Sequence, residues 1–418
     1  PLTLPAWDSD SQWTTSIACG DLSGDALPEI VEVNYVDDPT ALTRYCTPHN
    51  TLCNPSNFLP ASDRIWKVQP DGQINSAPEM WAGGSTPGYG FAAVIANTDG
   101  RAGSDLFVAN DRIANAFWLS QAAETGGKTE DEAPPIRFQL DENAQLYGCA
   151  TGLLGHQQGC MGLAAGDLDR NGKIDFHVTN FWDQPADLYL QMEHGFFVHA
   201  SVTRGLADVT RQTVAWGTQA VDIDRNGWLD LAVLNGHLID RHSPAEPYQM
   251  RPQFFRGDVG GFQLQSARDM GSKGDPGNNY WNQPTLGRTM AVLDWNCDRR
   301  PDLVCNHLDV PLALLENHTE GGNSLQLELV GVVSERDAIA AEVTVSCGNE
   351  SWVSWVTGGD GFLCSNEPLI DIGIGAHEQV DEVIVRWPTG AEQRFSDLPA
   401  NGRYLLIEND EQAFARSF

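Results

Sequence analysis

One short stretch, Gly166 to Phe176, combines side chains that could hold a metal ion. Its nine-residue loop carries oxygen-bearing side chains at positions 1, 3, 5 and 9, namely Asp167, Asp169, Asn171 and Asp175. Gly172 at position 6 permits a sharp turn, and the carbonyl of Lys173 at position 7 can point inward. Alternating carboxylate and amide oxygens are the ligands that a hard cation such as Ca²⁺ prefers. The spacing therefore predicts a calcium loop between two strands.

The same spacing returns at four other places, and each loop is named here by its first residue. Loop 222 keeps the glycine and offers Asp222, Asp224, Asn226, the carbonyl of Trp228 and Asp230. Loop 294 lacks the glycine and offers Asp294, Asn296, Asp298, the carbonyl of Arg300 and Asp302. A weaker copy, loop 21, offers Asp21, Ser23, Asp25 and Glu29. The weakest copy, loop 97, carries Arg101 at position 5 and offers Asn97, Asp99 and Asp105.

These loops require strands to position them, and the sequence supplies the strands in a repeating order. A strand of small residues precedes each loop, an apolar strand follows it, and one or two further strands come next. The unit recurs at intervals of roughly 55 to 76 residues, the mark of a repeat architecture. Four strands per repeat predict an all-β, calcium-binding β-propeller with five recognisable blades. The segment before Trp13 could supply the missing fourth strand of the fifth blade, and six or seven blades remain alternatives.

The pattern of residue types along the sequence changes near residue 320. From Asn323 onward the acidic loops stop, and strands with alternating apolar and polar residues begin, separated by glycine-rich turns. This pattern predicts a small antiparallel β-sandwich. We therefore divide the chain into residues 1–320, the propeller, and residues 321–418, the sandwich.

The charge balance excludes two classes of partner. The 418 residues carry 25 Lys plus Arg against 57 Asp plus Glu, a formal net charge of −32. Such a surface repels nucleic acid and anionic lipid. The sequence also contains no apolar run long enough to span a membrane. It starts at Pro1, which suggests a processed or trimmed form.

Nine cysteines favour an oxidising compartment, and we expect a secreted, extracellular or periplasmic protein. Short spacings predict the disulfides Cys46–Cys53, Cys149–Cys160 and Cys347–Cys364. Of the three remaining cysteines, Cys19–Cys305 is preferred over Cys297–Cys305 as a fourth bridge.

Three stretches resemble a known combination, FG-GAP/VCBS propeller repeats followed by an ASPIC/UnbV domain, in the cartilage acidic protein-like family. They are Trp216 through His237, Ser334 through Val345, and Val383 through Gly390. The resemblance implies an exported calcium-binding propeller whose metal positions are those named above. It implies no settled biochemical activity.

A second candidate site lies where the second strand of each repeat ends. Asn180, Asn235 and His307 occupy this position, and His237 follows closely. Such residues often cap strands and bond to turn backbones. Alternatively they form a ring around a ligand or around one transition metal.

Two functions follow from these patterns. We favour a binding or interaction module that holds a protein, a glycan or a small-molecule ligand. The alternative is a metal-dependent enzyme, a lyase, isomerase or oxidoreductase, with its site at the propeller mouth.

Overall fold

The computed structural model describes residues 13–416 except 42, 45, 47–52, 123–137, 267 and 271–278. Within these residues the chain is almost entirely β-structure. Its few helices are single turns. The α-helical turns are Ala144–Tyr147 and Ala207–Thr210, and the 3-10 turns are Pro55–Asn57, Pro78–Met80, Leu153–Gly155, Glu193–Gly195 and Tyr280–Asn282. None of the described helices has the length and apolar character needed to cross a bilayer.

Five antiparallel sheets follow one another along the chain, each with its strands in sequence order. The first sheet comprises Thr14–Gly20, Glu29–Asn34, Arg64–Val68 and Ile74–Ser76. The second comprises Gly90–Ala96, Asp105–Asn110, Ala116–Ala122 and Phe138–Glu142, with Trp81–Ala82 added parallel to its last strand. The third comprises Leu163–Gly166, Asp175–Val178, Asp187–Gln191 and Phe197–His199. The fourth comprises Ala215–Val221, Asp230–Asn235, Gln253–Asp258 and Gly261–Leu264. The fifth comprises Gly287–Leu293, Asp302–His307 and Ala313–Leu315.

Each acidic loop connects the first and second strands of one sheet, as the sequence predicts. The fifth sheet has three strands among the described residues. The segment expected to supply its fourth strand lies outside the described residues, so that expectation stays a prediction.

Consecutive sheets share hydrophobic cores. One core combines Val31 of the first sheet with Leu106 of the second. Three more join the second sheet to the third, the third to the fourth and the fourth to the fifth. Small residues such as Ala93 and Ala164 on the first strands allow neighbouring sheets to approach closely. The sheets therefore pack face to face in chain order.

Two further four-stranded sheets, called here the C-terminal sheet pair, follow the fifth sheet. One contains Asn323–Val330, Ile370–Gly375, Arg403–Ile407 and Ala413–Ala415. The other contains Glu342–Cys347, Glu350–Trp355, Gln379–Arg386 and Glu392–Pro399. Alternate residues of both sheets form one core, which includes Leu327, Val345 and Trp387. The expected antiparallel arrangement is wrong at one place, because Asn323–Val330 pairs in parallel with Arg403–Ile407.

A segment of the C-terminal part, residues 358–367, leaves the sheet pair and runs among the first strands of the five sheets. We call it the central loop. Its residues Gly358 and Gly359 pair with the second sheet. Gly361 and Leu163 of the third sheet exchange backbone hydrogen bonds. An added Cβ at Gly358 would lie 2.3 Å from the carbonyl oxygen of Cys19 in the first sheet, so a side chain there would clash.

The central loop then returns along the fourth and fifth sheets. Asn366 donates a 2.9 Å hydrogen bond to Gln219 and accepts one of 3.0 Å from the Val292 N–H. Glu367 accepts a 2.9 Å bond from the N–H of Asp294, at the start of loop 294. The central loop thus contacts the first strand of every one of the five sheets.

The disulfide predictions meet mixed outcomes. Cys46 and Cys53 form a disulfide, as predicted, with 5.1 Å between their Cα atoms. The predicted Cys149–Cys160 bridge is not formed, because both thiols are free and buried in the core between the second and third sheets.

The other two predicted bridges are wrong. Cys347 belongs to the core of the C-terminal sheet pair, whereas Cys364 lies in the central loop beside Gln219. Cys305 is buried between the fourth and fifth sheets, and Cys19 is an exposed thiol. The alternative partner Cys297 is also free. Sequence spacing failed here because the central loop carries Cys364 away from its own domain.

Candidate metal centre

Four of the five acidic loops share one backbone conformation. In loop 167 the Asp167 carboxylate accepts hydrogen bonds from the N–H groups of Asn171 and Gly172, both at 2.9 Å. Positions 4 and 6 of this loop, Arg170 and Gly172, have positive φ angles of 58° and 80°. The same two features recur in loops 21, 222 and 294, even where position 6 is Ala26 or Arg299. The loop turn therefore forms without a glycine at position 6.

In loops 97, 167, 222 and 294 the residue at position 9 attaches the loop to its sheet. The Asp175 carboxylate accepts bonds from the N–H of Leu168 within the loop at 2.8 Å and of Gln191 on the third strand at 2.7 Å. Asp230 and Asp302 make the same pair of contacts in their own sheets. Backbone N–H groups thus hold the carboxylates at positions 1 and 9 in place without a bound ion.

Among the described residues, three acidic side chains converge within 4.8 Å in only two places, loops 167 and 222. The clusters are Asp167, Asp169 and Asp175, and Asp222, Asp224 and Asp230.

The position 3 carboxylates show how these clusters are oriented. Oδ2 of Asp169 pairs with Arg204 at 3.0 Å, and Oδ2 of Asp224 pairs with Arg256. The other oxygen, Oδ1, of each carboxylate is buried and has no hydrogen-bond partner. A buried carboxylate oxygen without a partner is costly. The arginines therefore hold one oxygen outside the cluster while the other remains available to a cation.

Burial raises the pKa of the carboxyls in these clusters. The pKa of Asp167 is raised to about 6, that of Asp222 to about 7 and that of Asp230 to about 8. Desolvation is the main cause, and neighbouring carboxylates add to it. The pKa of Asp175 is raised well above its usual value for the same reasons. A divalent cation would reverse this effect by supplying the missing positive charge.

The donor set of loops 167 and 222 fits a hard divalent ion. Carboxylate oxygens dominate, and neither cluster contains sulfur or imidazole. At position 5, the Asn171 and Asn226 side-chain oxygens accept bonds from the N–H of Lys173 and Trp228, the residues at position 7. Of the residues predicted for these two loops, the three acidic groups of each are brought together. Participation of the asparagines and of the position 7 carbonyls stays a prediction.

The other three loops contain nitrogen donors at the corresponding places. In loop 97 the Asn97 amide donates to the carbonyl oxygens of Arg101 and Gly103. Asp105 is fully satisfied by Thr98 and by the N–H of Ser120, and Asp99 lies 3.6 Å from the Arg101 side chain.

In loop 294 the Arg300 guanidinium pairs with Asp298, which also accepts a 3.0 Å bond from the Asn296 amide. In loop 21 the Lys67 ammonium lies 2.8 Å from Asp25. Metal binding by loops 21, 97 and 294 stays a prediction.

The second candidate site does not assemble around a metal among the described residues. His237 Nδ1 accepts a bond from the N–H of Ile239, and Nε2 contacts Glu246 at 2.9 Å. His307 Nε2 lies 2.8 Å from the Tyr280 hydroxyl.

The asparagines at the second-strand ends behave as caps. The Asn180 amide donates to the carbonyl of Pro185, and the Asn235 amide donates to the carbonyl of Arg251. These contacts match the capping role that sequence reasoning offered as one alternative.

The C-terminal sheet pair covers the acidic loops. Trp352 donates a 3.1 Å bond to the Gly227 carbonyl of loop 222, and the Arg170 guanidinium of loop 167 lies 4.9 Å from its ring. An added Cβ at Gly373 would lie 2.0 Å from the Asp222 carboxylate. Strand Ile370–Gly375 therefore presses directly on a candidate metal ligand.

The remaining loops also face the C-terminal part. Arg299 of loop 294 donates a 2.8 Å bond to the Asn401 carbonyl, and Gly103 of loop 97 donates to the Pro388 carbonyl. A cavity of about 790 Å³ lies between the two layers, and its lining includes Asp167, Asp222 and Asp294. The C-terminal sheet pair therefore packs against the acidic loops.

Sequence reasoning missed several residues of this region. Lys67, Arg204 and Arg256 stand far from the loops they contact, and no spacing rule connects them. From the sequence alone, residues 358–361 indicate only a glycine-rich turn. Its three glycines at 358, 359 and 361 were the available signal of close backbone approach.

Comparisons with known proteins support the resemblance in part. Residues 331–413 match the family described as ASPIC and UnbV. Cartilage acidic protein 1 of Mus musculus is 25% identical over 334 residues, covering 77% of this chain and 48% of that protein. The Homo sapiens protein is 27% identical over 244 residues, covering 56% of this chain and 34% of that protein. The chain thus spans about half the length, or less, of the relatives it matches.

One solved structure, AofleA from Arthrobotrys oligospora, aligns with 99% of this chain and 89% of its own at 8% identity. Its TM-score is 0.33, a likeness too low to carry an argument. The sequence matches carry more, and they place an ASPIC and UnbV domain at residues 331–413 of a chain that is similar to cartilage acidic protein 1 over most of its length.

Proposed function

We propose that this chain is an exported, calcium-binding scaffold that works as a binding module for a protein, a glycan or a small-molecule ligand. Its five sheets act as the blades of an FG-GAP/VCBS-type propeller over residues 1–320. Residues 321–418 form an ASPIC/UnbV-like sandwich that docks on the metal loops. The similarity to cartilage acidic protein 1 and the Cys46–Cys53 disulfide support export.

One observation carries the proposal. The two carboxylate clusters that leave buried oxygens without partners, in loops 167 and 222, lie directly beneath the C-terminal sheet pair. An ion in each loop would neutralise the cluster and fix the backbone that contacts Trp352 and Gly373. Calcium in this role stabilises the interface between the acidic loops and the C-terminal sheet pair.

The opposite ends of the first strands offer a surface for a partner. The tip of the central loop, Phe362, packs there against Phe91 and Trp216, with Trp182 beside this cluster. The next residue, Leu363, is 57% exposed. Trp216 and Phe362 are themselves buried, so Leu363 and the half-buried Trp182 are the groups that a glycan or a protein could contact here.

Chelation of the purified protein tests the stabilising role of calcium. Hydrogen exchange is followed in Glu350–Trp355 with 2 mM Ca²⁺, with EGTA, and with EGTA plus Mg²⁺. We expect about two Ca²⁺ per chain by elemental analysis, and faster exchange of this strand in EGTA that Mg²⁺ does not reverse. Strand Gln379–Arg386, in the interior of the same sheet, is the internal control and should exchange slowly throughout.

Two results would overturn the proposal. Absence of bound calcium would contradict the metal assignment. Unchanged hydrogen exchange in Glu350–Trp355 would contradict a role of the ion at the interface with the C-terminal sheet pair. A transition metal in place of calcium would favour the enzymatic alternative.

A further inference from the structure

Lys67 occupies an unusual position for a lysine. It lies on strand Arg64–Val68, the third strand of the first sheet, directly opposite Glu29, the last residue of loop 21. Its side chain is only 7% exposed. Lysine is among the residue types that are almost never buried without a partner. The partners of Lys67 therefore explain why it is there.

Those partners are the side chains at positions 3 and 5 of loop 21. The Lys67 Nζ atom lies 2.8 Å from Oδ2 of Asp25 and 3.3 Å from Oγ of Ser23. Glu29, at position 9, is fully buried. Its Oε2 accepts bonds from the N–H of Leu22 and Ser23, while its Oε1 has no hydrogen-bond partner.

Loop 21 is otherwise built like the two candidate metal loops. The Asp21 carboxylate accepts N–H bonds from Asp25 and Ala26, and positions 4 and 6 are left-handed. The differences lie in the side chains at positions 3, 5 and 9, here Ser23, Asp25 and Glu29, and in what contacts them. In loops 167 and 222 an arginine pairs with one oxygen of position 3 and leaves the other unpartnered, whereas in loop 21 an ammonium group contacts positions 3 and 5 together.

We propose that the Lys67 ammonium is the resident cation of loop 21, where it replaces a divalent ion, and that loop 21 is a latent calcium site. This inference uses the calcium assignment of loops 167 and 222 as its point of comparison. A covalently attached cation cannot be chelated or diluted. The first sheet therefore keeps its loop geometry at calcium concentrations that empty the third and fourth sheets.

Replacing the lysine tests the inference. Lys67→Met removes the charge and keeps the aliphatic stem, so the loop oxygens lose their cation. We expect the calcium content after dialysis in micromolar Ca²⁺ to rise by about one ion per chain. We also expect the variant to melt below the wild type in EGTA and to regain the difference in 2 mM Ca²⁺. Arg64→Met is the matched control, because it removes a positive charge from the same strand but lies opposite Glu32, outside loop 21.

Two further variants keep the test decisive. Asp25→Asn combined with Lys67→Met removes both charges and should abolish the extra ion while restoring stability in EGTA. If Lys67→Met does not fold, Lys67→Gln should show the same gain. No gain of calcium in the folded variant would overturn the inference, even when the wild type binds calcium. A wild type without calcium would instead count against the proposed function alone.

Discussion

Loops 21 and 222 differ in chemistry although their backbones follow the same path. Both have left-handed residues at positions 4 and 6 and a carboxylate at position 1 that accepts N–H bonds from positions 5 and 6. In loop 222 the Oδ1 atom of Asp224 is left buried and unpartnered. In loop 21 a lysine from the third strand fills the corresponding region.

Loops 21 and 222 therefore indicate that the backbone conformation of a loop does not by itself determine whether the loop needs a metal ion. The backbone conformation is local and survives even when position 6 is not glycine. On the proposed assignment, an ion supplies positive charge inside loops 167 and 222, whereas Lys67 from another strand supplies it in loop 21. Loop 97 follows neither course, because its position 1 is the neutral Asn97, whose amide donates to the carbonyl at position 7.

The largest effect should come from breaking the two metal loops together. Asp169→Asn with Asp224→Asn keeps the side-chain shape but removes the charges that face the ions. We expect the loss of two Ca²⁺ per chain and of about 3 kcal/mol of folding free energy for each site, at a hundredfold excess of Ca²⁺ over Kd. Calcium titration and chemical denaturation measure both quantities.

The matched control for this pair is Asp99→Asn, at position 3 of loop 97. Its carboxylate faces Arg101 and should contribute no calcium. Retention of both ions in the double variant would contradict the assignment of loops 167 and 222.

A smaller effect is expected from converting loop 97 into a metal loop. Asn97→Asp with Arg101→Asn restores an acidic position 1 and an amide at position 5, and removes the nitrogen that now contacts the Gly103 carbonyl. We expect a gain of one Ca²⁺ and a melting temperature that rises with calcium by a few degrees. Asn97→Asp alone should gain less, since Arg101 still opposes the ion. An unchanged calcium count in the double variant would show that something other than these two residues excludes the ion.

The smallest effect concerns a buried acid that has neither an ion nor a lysine. Burial raises the pKa of Asp360, in the central loop, to about 7. The folded state therefore favours the protonated form, so the stability from this group is fully present only below the ordinary Asp pKa of 3.8 and is lost as the pH rises from there to about 7. Asp360→Asn should exceed the wild type in stability at pH 8 by about 1 to 3 kcal/mol more than at pH 5, and the two should converge near pH 3. Asp208→Asn, at an exposed position, is the control. The prediction is contradicted if the stability difference between Asp360→Asn and the wild type is the same at pH 8 and at pH 5.

Much of the architecture could be predicted from the sequence because it depends on local patterns. The five loops, the strands beside them and the change of pattern after residue 320 follow from spacing and from alternation. The positions of Lys67, Arg204 and Arg256 could not be predicted, because strand register and, for Arg204, the turn after strand Phe197–His199 decide which side chain reaches a loop. The pairing of Cys347 with Cys364 failed for a related reason, since the central loop lies among the first five sheets and not in its own domain.

The route of the central loop also constrains how the protein is made. Residues 358–367 lie about forty residues after the last strand of the fifth sheet, so a ribosome adding roughly 5 to 20 residues per second exposes the five sheets several seconds before this segment exists. During that interval the first strands of the five sheets lack the contacts that the central loop will make with them. The newborn chain must hold its sheets together on their face-to-face cores alone until residues 358–367 have been made.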